Sequence, residues 1–124
     1  MARKEITWFS ENHAGVGAFG PAFRVGVESY PVSVWLYATG APLREVTEVD
    51  ILADGVSIFG DEKPTLVPGQ TEELTATFNP GSKYGTATTY FDEGTVLTCE
   101  LSGPTAGSEA KNLTVQLSVE ELED

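Results

Sequence analysis

The sequence predicts one all-β domain, an antiparallel sandwich of about seven to nine strands. Three observations carry this. Apolar residues recur at every second position in several separate stretches. Turn-forming Gly, Pro, Asp-Gly and Asn-Pro pairs punctuate the chain at roughly ten-residue intervals. No stretch carries apolar residues at i, i+3, i+4 and i+7 over a useful length, so no amphipathic helix is expected.

Taken in order, "EITWF" reads as a first strand with Ile6 and Trp8 on one side. "GVGAFGPAF" follows, with Gly15, Gly17 and Gly20 in the G-x-G-x-x-G spacing of a dinucleotide site. That chemistry needs a helix opening inside the motif, so that its N-terminus receives the pyrophosphate. Pro21 follows the third glycine and pushes the preceding residue out of the helical region, and the chain then alternates as a strand. No cofactor is expected there. The segment from Asn12 to Pro21 reads instead as a mobile lead-in, or an arm that reaches a neighbouring subunit.

"AFRVGVES" sets Phe23, Val25 and Val27 on one face. "VSVWLYA" sets Val32, Val34, Leu36 and Ala38 on one face but places Trp35 and Tyr37 on the other. Such a strand is either covered on both sides or offers its aromatics to a partner. "EVTEVDIL" runs into Asp54-Gly55, a pair that tolerates the positive φ of a type I′ hairpin, so Val56–Phe59 should pair back on it. "TEELTATF" points Leu74, Ala76 and Phe78 inward and Thr75 and Thr77 outward. Residues 79–93 are the least regular and read as a long loop carrying Tyr84, Tyr90 and Phe91. "TVLTCEL" buries Leu97, Cys99 and Leu101; "NLTVQLSV" buries Leu113, Val115, Leu117 and Val119. The resulting division is a strand and glycine-rich arm over 1–21, the sandwich over 22–119 and an acidic tail over 120–124.

Composition narrows the function classes. Nineteen Asp and Glu against seven Lys and Arg give a formal charge of −12. That sign repels phosphate backbones and anionic lipid surfaces, so neither nucleic acid nor membrane is an expected partner. It also suits a protein kept soluble at high salt, as in a halophilic host. "MARKEITWFSEN" lacks the apolar stretch of a secretory signal, so folding in a cytoplasm is expected.

Residues for catalysis are scarce. His13 is the single histidine, so any nucleophile–base pair would rest on it, and it reads as a surface loop residue. Cys99 is the single cysteine; it allows no intrachain disulfide or thiolate cluster and reads as a small buried hydrophobe. Asp50, Asp54, Asp61-Glu62 and Asp92-Glu93 lie near turns, but no EF-hand spacing joins them and no metal is expected. Asn112-Leu113-Thr114 matches a glycosylation sequon at the head of a strand. The chain is expected not to be an enzyme. The stronger signal is aromatic: Trp8, Phe9, Phe19, Trp35, Tyr37, Tyr84, Tyr90 and Phe91 are the candidate protein-contact residues.

"YPVSVWLYATGAPLREVTEVDILADGV", "PTLVPGQTEELTATF" and "GTVLTCEL" together resemble immunoglobulin-like β-sandwich modules, including the globular regions of archaeal pilins and archaellum proteins. The resemblance spans roughly residues 30 to 102 and rests on turns at Thr39-Gly40, Asp54-Gly55, Pro68-Gly69-Gln70-Thr71 and Gly94-Thr95. It implies an immunoglobulin-like fold and a role without catalysis. An acidic single-domain sandwich also resembles the accessory proteins of tailed-virus particles. That likeness implies a capsid decoration or other head or tail subunit, located in the virion. It would bind the major capsid protein or another virion protein, with homo-oligomers an option. The alternatives are an adhesive or appendage module at the cell surface, and a carbohydrate-binding module using Trp35 and Tyr37.

Overall fold

Alternation becomes two antiparallel sheets that share one core. The computed structural model describes residues 2–60, 62–74, 76–78, 90–103 and 107–122, without the side chains of Asn12 and His13. The expectations for Asp61, Thr75, Tyr84, the Asn79-Pro80-Gly81 turn, Pro104 and the end of the acidic tail lie outside the described residues. The strands are β1 (Ala2–His13), β2 (Gly17–Ala18), β3 (Phe23–Arg24), β4 (Ser29–Gly40), β5 (Thr47–Ala53), β6 (Val56–Ser57), β7 (Thr65–Leu66), β8 (Glu72–Glu73), β9 (Val96–Ser102) and β10 (Lys111–Glu121). No helix occurs among the described residues. One sheet has the order β1-β10-β4-β8; the other is built on β2-β9-β5-β6, with β3 also on β9 and β7 also on β5.

The second sheet has six strands but only four lanes. β2 and β3 lie along the same side of β9, with Gly17 opposite Leu101 and Phe23 opposite Leu97. β6 and β7 share the far side of β5, opposite Ala53 and Thr47 respectively. Short paired pieces of one lane therefore raise the strand count above the expected range. Between the sheets lie Ile6, Trp8, Val34, Leu36, Val49, Ile51, Leu97, Leu101 and the four inward residues of β10, all buried. The Asp54-Gly55 hairpin forms as predicted, with φ of 49° and 86°, and Val56 returns opposite Ala53.

The glycine-rich segment, expected as a mobile lead-in or an arm, carries a short strand at Gly17–Ala18 that pairs with β9. Phe19 N–H bonds the Cys99 carbonyl at 2.8 Å, continuing the pairing of β2 with β9. Upstream, Ala14 N–H bonds the Ala110 carbonyl at 2.9 Å. Ala14 and Phe19 are both buried, so apolar burial fixes the segment at two points. The lane then buckles at Gly20-Pro21, where Gly20 takes φ +76° and the Pro21 carbonyl accepts the Trp8 indole N–H at 2.8 Å. Proline fits an interrupted edge lane, where its missing N–H deprives no ladder. The Phe19 amide is expected to exchange at least about a hundredfold more slowly than that of exposed Val16, as native-state hydrogen exchange by NMR would measure.

Two further expectations change. Val32 is exposed and Pro31 is buried, because the register of β4 on β10 shifts between Ser33 and Pro31 and flips the alternation. Leu74 is 63% exposed, because β8 ends at Glu73 and the chain departs for the other sheet. There Thr77 N–H bonds the Glu62 carbonyl and Phe78 bridges Phe59.

Candidate functional site

The outer face of the four-stranded sheet gathers the exposed aromatics. Even-numbered residues of β1 up to Trp8 and odd-numbered residues of β10 include the buried Ile6, Trp8 and Leu113 to Val119, so the opposite parity faces out. Register then defines rows across the sheet. Phe9, Thr114 and Tyr37 form one row, and Thr7, Gln116 and Trp35 form the next. Phe9 is 49% and Tyr37 39% exposed. Trp35 and Tyr37 stack, with centroids 5.6 Å apart and planes at 13°. Trp35 donates its indole N–H to Glu72 on the neighbouring β8 at 2.6 Å, and Gln116 donates to Thr7 at 3.3 Å.

Charge is kept to the margins of this face. Below the aromatic rows Ser118 donates to the Glu5 carboxylate, and Arg3 pairs with Glu120 at 3.3 Å. Above them Asn112 donates to Thr39 at 2.8 Å. Glu72 flanks Tyr37 at the β8 edge. The centre is therefore aromatic and uncharged on a chain whose formal charge is −12.

The eight aromatic candidates divide. Phe9, Trp35 and Tyr37 come together on the outer face. Trp8, Phe19 and Phe91 do not reach the surface: they are 1%, 3% and 0% exposed and belong to the core. Tyr90 lies apart from the rows, its ring 5.6 Å from that of Tyr30. Tyr84 is outside the described residues. Sequence reasoning missed the uncharged neighbours Thr7, Thr114 and Gln116, although each sits at the polar phase of its strand. Only the cross-strand register shows that they adjoin.

Two of the acids near turns have structural partners that fix them. Asp50 accepts from the Ser57 hydroxyl at 2.6 Å and pairs with Lys63 at 3.4 Å. The Asp54 carboxylate accepts the Val96 N–H at 2.9 Å, tying the hairpin turn to β9. Among the described residues no group of three or more His, Cys, Asp and Glu side chains is placed to hold a metal ion. A broad groove of about 540 Å³ beside the β4 bulge is lined by Arg3, Tyr30, Val32, Phe78 and Glu120; its two charged groups are the pair already formed. Among the described residues no helix is long and apolar enough to cross a membrane.

No protein-family model and no curated protein matches this chain.

Proposed function

We propose that the protein is a non-enzymatic structural subunit that attaches to a protein lattice, as a capsid decoration or other accessory subunit of a tailed-virus particle. The outer face of the four-stranded sheet is the attachment surface. The observation that carries this is the uncharged aromatic centre formed by Phe9, Trp35 and Tyr37 with Thr7, Thr114 and Gln116. Cores of protein interfaces are enriched in aromatics and depleted of charge, and this face has that composition within a strongly acidic chain.

The strand path supports a particular sandwich. Counting each interrupted lane once, the first lane lies beside the last, and β1, β4 and β8 of the four-stranded sheet each lead into the other sheet. That order is the two-Greek-key path of a jelly roll, an architecture shared by viral capsid and lectin domains. In an immunoglobulin-like sandwich the last two strands share a sheet, whereas β9 and β10 lie in different ones. The fold alone assigns no function, so the face carries the argument. Against the carbohydrate-binding alternative, Trp35 and Tyr37 stack on each other instead of lying side by side as a flat platform.

The test is to read the genes beside its own, which are expected to encode capsid or tail proteins, and to co-express those proteins with it before gradient sedimentation of the particles. Tyr37→Glu is expected to leave the melting temperature within about 3 °C while weakening particle binding at least about a hundredfold, as truncating a central hot spot does. Wild-type protein that sediments with none of these assemblies would overturn the reading.

A further inference from the structure

The outward side of β1 is an open strand edge, and backbone hydrogen bonding shows which residues present it. On β4, Ala38 N–H bonds the Thr71 carbonyl, so even-numbered residues there face β8 and odd-numbered ones face β10. Leu122 N–H bonds the Glu28 carbonyl, which places the even-numbered residues of β10 toward β4. The odd-numbered residues of β10 therefore face β1, where Val119, Leu117 and Val115 meet Lys4, Ile6 and Trp8. The backbone groups of Arg3, Glu5, Thr7 and Phe9 point the other way. None of them has a backbone partner among the described residues.

We propose that β1 pairs antiparallel with β1 of a second copy, across a twofold axis at Thr7, joining the two four-stranded sheets into one. The edge invites pairing: its register on β10 is unbroken from Ala2 to Ser10, and it contains no proline. An inward-pointing lysine often guards such an edge. Here the Lys4 ammonium is drawn onto the Phe23 ring, 5.2 Å from its centroid, which leaves the edge clear.

Charge complementarity favours a second copy, and favours an axis at Thr7 over axes at Glu5, Ile6 and Trp8; an axis at Lys4 would also oppose Arg3 to Glu5, but it overlaps only residues 1–7. Arg3 and Glu11 lie equally far on either side of Thr7. A twofold there sets Glu5 opposite Phe9 and Thr7 opposite Thr7 within the regular stretch, and brings Arg3 of each copy to Glu11 of the other, where the register on β10 shifts between Ser10 and His13. Shifting the axis to Trp8 opposes Glu5 to Glu11, and shifting it to Glu5 opposes Glu5 to itself; like charges directly opposite destabilise a strand pair. An axis at Ile6 forms no ion pair. Arg3 is half exposed while it holds Glu120, so its fork retains donors for a second carboxylate. Twofold, self-complementary contacts are the commonest form of homodimer. Pairing through this edge requires no lattice partner.

Sedimentation velocity of the whole chain in moderate salt tests it. A concentration-dependent dimer is expected by about 200 μM. Thr7→Pro is expected to be monomeric with an unchanged circular dichroism spectrum, because the lost N–H bonds nothing within the sheet. Arg3→Glu should weaken association at least about tenfold, and adding Glu11→Arg should restore it. A wild-type monomer at that concentration would overturn the proposal and leave the edge to a different protein's strand. So would a dimer that survives Thr7→Pro, or a charge swap that fails to rescue.

Discussion

Replacing Trp8 by alanine is expected to destabilise the protein by about 3–5 kcal/mol, the usual range for truncating a buried aromatic. The melting temperature should fall by roughly 10–20 °C, as calorimetry would measure. Trp8 is 1% exposed between the sheets, and its indole N–H is what holds the buckled lane at Pro21. Trp8→Phe keeps most of the apolar contact but loses that bond and leaves a small cavity; Pro21 is exposed, so its carbonyl turns to water, and about 1–3 kcal/mol is expected. Gly20 completes the joint. A Cβ there would sit 3.0 Å from Trp8 Cδ1, on a backbone whose φ of +76° already disfavours a side chain. Gly20→Ala should therefore cost more in wild type than beside Trp8→Ala, where only the backbone strain remains. Additivity within about 0.5 kcal/mol would show that the close contact contributes nothing.

This joint also shows where sequence reading loses its grip. Long strands with one wet and one dry face were legible: Leu113, Val115, Leu117 and Val119 are all buried, as their spacing predicts. The hairpin at Asp54-Gly55 was legible because its conformation is a property of those two residues. The lane at Gly17–Ala18 was not, since two paired residues are too few to display a period. Its hydrogen bonds come from β9, far along the chain, and nothing local announces them. The bulge at Val32 had one local sign, Pro31, which a regular central strand would not tolerate.

The candidate site was half legible for a related reason. Trp8 and Phe9 are adjacent, so one of them had to face the core; the shared phase of Ile6 and Trp8 hints at Trp8, but over five residues that hint is weak. The choice is made by β10, whose buried Val115 sits opposite Trp8. Trp35 and Tyr37 were easier, because Val34, Leu36 and Ala38 claim the inward phase of the same strand. Phe19 and Phe91 sit in turn-rich sequence that reads as loop. Each is anchored by a backbone bond to a distant residue, Cys99 and Ser29 respectively, and that anchor carries the ring inside.

Alkaline pH is expected to weaken the fold through Cys99. Its thiol pKa is pushed from an ordinary 9.0 up to about 12, first by burial and then by the nearby carboxylates of Asp50 and Glu100. Asp50 is held in place by Ser57 and Lys63, so it cannot swing away to relieve the repulsion. The folded chain thus keeps a proton that the unfolded chain releases. Stability from this group is complete below about pH 9 and is lost as pH rises toward 12. Each pH unit in that window costs about 1.4 kcal/mol, or about 2 kcal/mol by pH 10.5. Urea unfolding of wild type and Cys99→Ala at pH 8 and pH 10.5 isolates the effect, because titrations common to both chains cancel in the difference. The wild-type advantage should shrink with pH; a constant difference would mean that the thiol ionises as freely in the fold as outside it. The same burial makes the native thiol slow toward iodoacetamide at pH 8, where the attacking thiolate is scarce and the side chain is 2% exposed. Alkylation should therefore track opening of the β5–β9 pair, where Ile51 lies opposite Cys99, and accelerate in urea below the unfolding midpoint.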